Sequence, residues 1–162
     1  MMVANGGPRP AAGTLTRLFF GAIDRFGKPD ALQVKIGGRF EPISHRALLE
    51  RARHVGYGLT SLGIQPGDRV AILSENRPEW AIADFACVTG RIPDVAVYPV
   101  LPAAQIAYIL RDSGAIAVFV STPEQAAKLA EIRALIPALR HVFSFDRETR
   151  VVHAPWRPIA PR

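Results

Sequence analysis

Four patterns in this 162-residue sequence contain residue types that chemistry needs. Gly21 to Lys28 sets two glycines ahead of a lysine, as in loops whose backbone amides cradle phosphate. Five residues separate those glycines where a Walker loop has four, and Pro29 stands where Ser or Thr must touch magnesium. Gly56-Tyr57-Gly58 opens like a dinucleotide fingerprint, but Ser61 takes the third glycine position. That segment reads as helix interior, with small residues where a second helix packs. The histidines His45, His54, His141 and His153 show no ligand spacing, and Cys87 has no Cys or His within five residues, so no metal site is expected. Cys87 lies between Phe85 and Val88 on an apolar helix and reads as a buried structural thiol. Glu75, Glu79 and Asp84 could divide acid and base work. Glu79 is better explained by helix capping, Asp84 by a solvent-facing helix position, and Trp80 by a core anchor. No residue is assigned to catalysis, cofactor binding or metal ligation.

The elements that would position such groups follow from periodicity. Leu15, Leu18, Phe19, Ala22, Ile23 and Phe26 recur at helical spacing, which predicts a helix over Thr14 to Phe26 stopped by Gly27. Leu32–Ile36 and Arg39–Ile43, joined by Gly37-Gly38, form a hairpin pattern, since paired glycines supply the positive φ of a tight primed turn. Ser44 caps a helix whose stripe Leu48, Leu49, Ala52, Val55, Leu59 and Leu62 ends at Gly63. Val70–Leu73 and Ala115–Val120 are apolar without alternation, as strands covered on both faces require; Val95–Tyr98 and His141–Phe145 are further strands. Between them lie three helices. The first opens on a capping box from Asn76 to Glu79, the second starts at Pro102, and the third runs from a Thr122 cap to about Leu135. The predicted fold class is α/β: a mostly parallel sheet with helices on both faces, preceded by a helix and a β-hairpin. Residues 1–13, rich in Gly, Pro and Ala, read as a disordered lead-in, and 147–162, with Pro155, Pro158 and Pro161, as an irregular tail.

With 49% apolar and 21% charged residues, the chain has material for one domain with a real core. One cysteine excludes an internal disulfide and fits a reducing compartment. The longest early apolar patch, Leu18-Phe19-Phe20, stops at Gly21, so neither a signal peptide nor a membrane span is read and a cytoplasmic location is expected. The charge of +6 and pI near 10.2 invite a nucleic-acid reading. The positive residues are mostly arginines dispersed along the chain. Their nearest cluster, Arg46, Arg51, Arg53 and His54, reads as a solvated helix face, so no nucleic-acid partner is expected.

The block from Leu62-Gly63-Ile64-Gln65-Pro66-Gly67-Asp68-Arg69-Val70 through Ser74-Glu75-Asn76-Arg77-Pro78-Glu79-Trp80 resembles the N-terminal region of AMP-forming acyl-CoA synthetases, members of the adenylate-forming superfamily. Tyr98-Pro99-Val100-Leu101-Pro102 and Ile109-Leu110-Arg111-Asp112-Ser113-Gly114 continue it. The combination looks most like the long-chain fatty acid–CoA ligases and spans residues 14–146, which reads as the N-terminal part of an AMP-binding synthetase domain.

The resemblance implies ATP-dependent activation of a fatty acid to an acyl-adenylate, with pyrophosphate leaving, then transfer of the acyl group to the thiol of CoA. ATP, magnesium and CoA are the family's cofactors. The family's phosphate loop, adenine segment, magnesium carboxylate and adenylation lysine have no matching positions between Met1 and Arg162, so no functional residue is carried over. The chain alone is expected to be inactive and to bind none of these cofactors well, as a truncated or frame-shifted piece would. The resemblance also implies peripheral membrane contact, as for family members that handle long acyl chains. The alternative is a non-catalytic module for an acyl chain or a partner polypeptide, with self-association through an uncovered apolar face. One departure from the family is Gly90-Arg91-Ile92-Pro93, where Arg91 and Ile92 are expected to crowd a tight helix-to-strand connection.

Overall fold

The computed structural model describes residues 13–146; the lead-in before Gly13 and the proline-spaced tail after Asp146 lie outside the described residues. Helix α1 (Leu15–Phe26) begins where the Thr14 hydroxyl accepts from the Arg17 amide, and ends where Gly27 turns left-handed at φ 50°. Strands β1 (Leu32–Ile36) and β2 (Arg39–Ile43) pair antiparallel about Gly37 and Gly38, both at positive φ. Helix α2 (His45–Ser61) is capped by the Ser44 hydroxyl at the Ala47 amide, as its sequence predicts.

A four-stranded parallel sheet follows, built from β3 (Val70–Leu73), β4 (Asp94–Val97), β5 (Ala117–Val120) and β6 (His141–Ser144) in the order β4-β3-β5-β6. Val70 is level with Asp94 on one side and Ala117 on the other, and Ala117 with His141. The crossovers are α3 (Pro78–Thr89), α4 (Ala103–Ser113) and α5 (Pro123–Glu131), the last extended by a 3-10 turn at Arg133–Leu135. The predicted helix toward Leu135 therefore breaks after Glu131.

Every residue of β3 and β5 is buried, as apolar runs without alternation predict for central strands. One face packs Val70, Ile72, Ala117 and Phe119 against Leu59 of α2 and Ala83 and Cys87 of α3. The other packs Ala71, Leu73, Val118 and Val120 against Ile106 and Leu110 of α4 and Leu129 of α5. A third, smaller core joins Phe19, Ile43, Leu48 and Ile82, tying α1 and the hairpin to α2 and α3.

Three local expectations are corrected. Pro78 occupies the start of α3, so the cap position falls on Arg77, which makes no capping hydrogen bond; the Asn76–Glu79 box does not form. Asp84 is half-buried and pairs with Asp94, instead of facing solvent. Crowding at Gly90–Pro93 is relieved because Ile92 turns into the core while Arg91 takes φ 58° outside it.

Candidate functional site

In an open parallel sheet, ligands gather beyond the carboxyl ends of strands, at the point where successive connections leave for opposite faces. Here β3 leads to α3 on one face and β5 to α5 on the other, so the switch point lies between Leu73 and Val120. The backbone ladder continues across it: the Ser121 amide donates to Leu73 O at 3.2 Å, and the Phe145 amide to Val120 O at 2.9 Å.

The side chain that spans this point is Arg77. Its Nε donates to Glu79 Oε2 at 2.8 Å, Nη1 donates to the Ser121 carbonyl at 3.2 Å, and both Nη atoms approach Asp146 Oδ1 at 3.4 Å. The guanidinium also sits over the Phe145 ring, 5.6 Å from its centroid. Burial works against the charge, but the Glu79 and Asp146 carboxylates outweigh it and raise the proton affinity of Arg77. Burial likewise opposes ionisation of Glu79, and Arg77, its own backbone amide and the charge of Arg51 together bring it below the ordinary carboxylate range. Beside them, Ser74 is buried and donates to the Glu75 carbonyl. Ser121 Oγ and Gln125 Oε1 are buried and find no hydrogen-bond partner among the described residues.

On the far side of α5, Lys128 Nζ donates to the carbonyls of Pro99 at 2.6 Å and Leu101 at 3.1 Å. It thereby pins the loop between β4 and α4, on which Tyr98 and Val100 stand exposed.

The residues considered from sequence are scattered. Gly21 lies inside α1 and Gly27 caps it, so no phosphate loop exists between Gly21 and Lys28. Gly56 faces the Ala86 carbonyl 4.0 Å from where a Cβ would sit, consistent with close approach of α2 and α3. Arg46, Arg51, Arg53 and His54 are exposed along α2, and Arg46 pairs only with Glu50 among the described residues. Cys87 is fully buried, and burial, reinforced by the charges of Asp94 and Asp84, pushes its thiol up to about 12. Glu79 is held by Arg77, Asp84 lies beside Asp94 and the Glu75 side chain is exposed, so no two of the three carboxylates pair with each other. Trp80 packs half-buried against the α2/α3 core. His141 is on β6, far in sequence from His45 and His54 on α2, and His153 is outside the described residues.

A nucleotide and its magnesium do not fit these residues. The turns after β3, β4 and β5 contain no glycine, and Pro78, Pro102 and Pro123 stand at their helix starts. No positive-φ glycine follows a strand of the parallel sheet, and no group of three His, Cys, Asp or Glu among the described residues could hold a metal ion. The carboxyl edge is a polar brace joining three loops. The sequence offered no local sign of it, because Arg77 and Asp146 are 69 residues apart.

The family model for AMP-binding enzymes matches residues 23–157. The long-chain-fatty-acid–CoA ligase FadD15 of Mycobacterium tuberculosis is 38% identical over 107 residues, which are 66% of this chain and 18% of that protein. Fatty acyl-CoA synthetase A of Dictyostelium discoideum is 38% identical over 76 residues, 47% of this chain and 11% of that protein. Among solved structures, the anthranilate CoA ligase AuaEII in complex with anthranoyl-AMP superposes with a TM-score of 0.73 at 24% identity, over 85% of this chain and 26% of that one. A fatty acyl CoA synthetase of Mycobacterium tuberculosis gives 0.70 at 23% identity, over 81% and 26%. The chain thus spans less than a fifth of the length of these two sequence relatives.

Proposed function

The chain belongs to the AMP-binding enzyme family, and on that premise we propose that it supplies the N-terminal scaffold of a long-chain fatty acid–CoA ligase. In this reading residues 14–146 are the first part of the synthetase domain. ATP, magnesium and CoA act in the complete enzyme, at groups this chain does not contribute, and the substrate is a fatty acid handled in the cytoplasm. The observation that carries it is the 38% identity to FadD15 over 107 residues, two thirds of this chain. No helix among the described residues is long and apolar enough to cross a membrane.

Adenylation depends on groups that stabilise charge at the α-phosphate under attack and on the departing pyrophosphate, and the braced carboxyl edge leaves none free to do so. The purified chain with ATP, magnesium and palmitate is expected to show ATP–pyrophosphate exchange at background. Exchange above background would overturn the scaffold assignment. The ligase assignment is tested by a chimera in which residues 14–146 replace the corresponding region of FadD15. Palmitate-dependent exchange by the chimera supports it, and a folded but inactive chimera counts against it.

One observation favours the second reading, a partner-binding module. Leu15, Leu18 and Phe26 of α1 and Ile36 and Phe40 of the hairpin are large, apolar and exposed. Sedimentation of the chain as a monomer at all accessible concentrations would remove self-association from that reading.

A further inference from the structure

We infer that Arg77 is a positioning residue that fixes the direction in which the chain leaves the sheet after β6. Strand β6 pairs with β5 and, among the described residues, with nothing on its other side. Beyond Ser144 the ladder supplies one last backbone bond, from the Phe145 amide to Val120 O. From there the path is held by side chains. The Ser144 hydroxyl accepts from the Asp146 amide at 3.0 Å and donates to the Asp146 carbonyl at 2.8 Å, which closes a tight local turn. Arg77 ties that turn to the rest of the sheet through Asp146 and the Phe145 ring, while Glu79 and the Ser121 carbonyl hold Arg77 itself.

The geometry needs an arginine. A planar fork presents several donors in fixed directions and a flat face to an aromatic ring, whereas an ammonium is a single point charge. The site is also a poor anion receptor, because a phosphate arriving at Arg77 would meet the carboxylates of both Glu79 and Asp146. Arg77 therefore fills the switch point that an open α/β sheet otherwise leaves to a ligand. The brace involves only residues of this chain and does not rest on the ligase reading.

The test is residue-resolved amide hydrogen exchange on the whole 162-residue chain and its variants Arg77→Gln, Arg77→Lys and Asp146→Asn. In both Arg77 variants, exchange at Phe145 and Asp146 should quicken on the order of tenfold, the scale of a lost hydrogen bond to a charged group. Rates at Ile72 and Val118 should stay as they are. Asp146→Asn changes a half-buried partner and leaves Arg77 in place; it should speed the same two amides by a smaller factor. Unchanged rates at Phe145 and Asp146, wild-type behaviour of Arg77→Lys, or an equal rise at Ile72 and Val118 would each overturn the assignment. None of these outcomes depends on ATP–pyrophosphate exchange, so this inference and the ligase reading fail separately.

Discussion

Phe19 of α1 stacks on Phe85 of α3, ring centroids 4.0 Å apart and planes inclined by 14°. A few residues along each helix, the Thr16 hydroxyl donates to the Val88 carbonyl at 3.0 Å. These contacts attach the N-terminal helix to the α/β unit. Phe19→Ala is expected to cost about 3 kcal/mol, since it removes a buried ring and leaves a cavity beside Phe85. A urea titration would read the loss, and limited proteolysis should cut within α1 before the sheet. A loss under about 1 kcal/mol would mean that the stack closes over the gap or contributes little.

Asp84 and Asp94 make stability depend on pH. Burial first, then the charge and hydrogen bond of Asp94, push the Asp84 carboxyl up to about 6 from an ordinary 3.8. The folded protein therefore binds this proton more tightly than the unfolded chain does. The associated stability is complete below about pH 4 and is lost as pH rises through 6. The full difference corresponds to about 3 kcal/mol, which solvent screening at a half-buried position reduces to about 1 kcal/mol. Asp84→Asn should raise the thermal midpoint at pH 7.5, leave it near the wild-type value at pH 4, and flatten the slope between. An equal effect at both pH values would show that the Asp84 carboxyl does not titrate as described.

Adjacent substitutions at the end of α3 should act in opposite directions. A Cβ on Gly90 would stand 3.1 Å from the Ala86 carbonyl and 3.3 Å from Ile92 Cδ1, so Gly90→Ala should destabilise by roughly 1–2 kcal/mol. Arg91 already sits at φ 58°, a conformation in which a side chain is strained. Arg91→Gly should relieve that strain and, after the added freedom of the unfolded chain, stabilise by about 0.5 kcal/mol. Thermal melts of the two variants moving the same way would refute the account.

Cys87 is expected to be chemically silent until the domain opens. It has no exposed surface, and its thiol is held at about 12, so little thiolate exists at neutral pH. Labelling by a thiol reagent at pH 7.5 should be on the order of a thousandfold slower than in the unfolded chain, and should follow the unfolding transition in urea. Rapid labelling of the folded protein would place the thiol at the surface.

Several features were legible in the residues because they are local. The Ser44 and Thr122 caps, the Gly37-Gly38 hairpin and the uninterrupted apolar runs of β3 and β5 each depend on residues within a few positions of one another. The Asn76–Glu79 box has the right spacing and still fails. Pro78 moves the helix start by one residue, and Glu79 finds a stronger partner in Arg77, whose other anchors are brought in by the sheet.

By itself the amino-acid sequence determined the element types and the α/β class, since hydrophobic period and capping chemistry act over one or two turns; the family resemblance rests on the residues of three motif blocks, Leu62–Trp80, Tyr98–Pro102 and Ile109–Gly114. The tertiary structure alone decided that Arg77 meets Asp146 and that Asp84 meets Asp94. A side chain's partner across the sheet is set by strand order and register, β4-β3-β5-β6 here, and no short window of sequence contains that information.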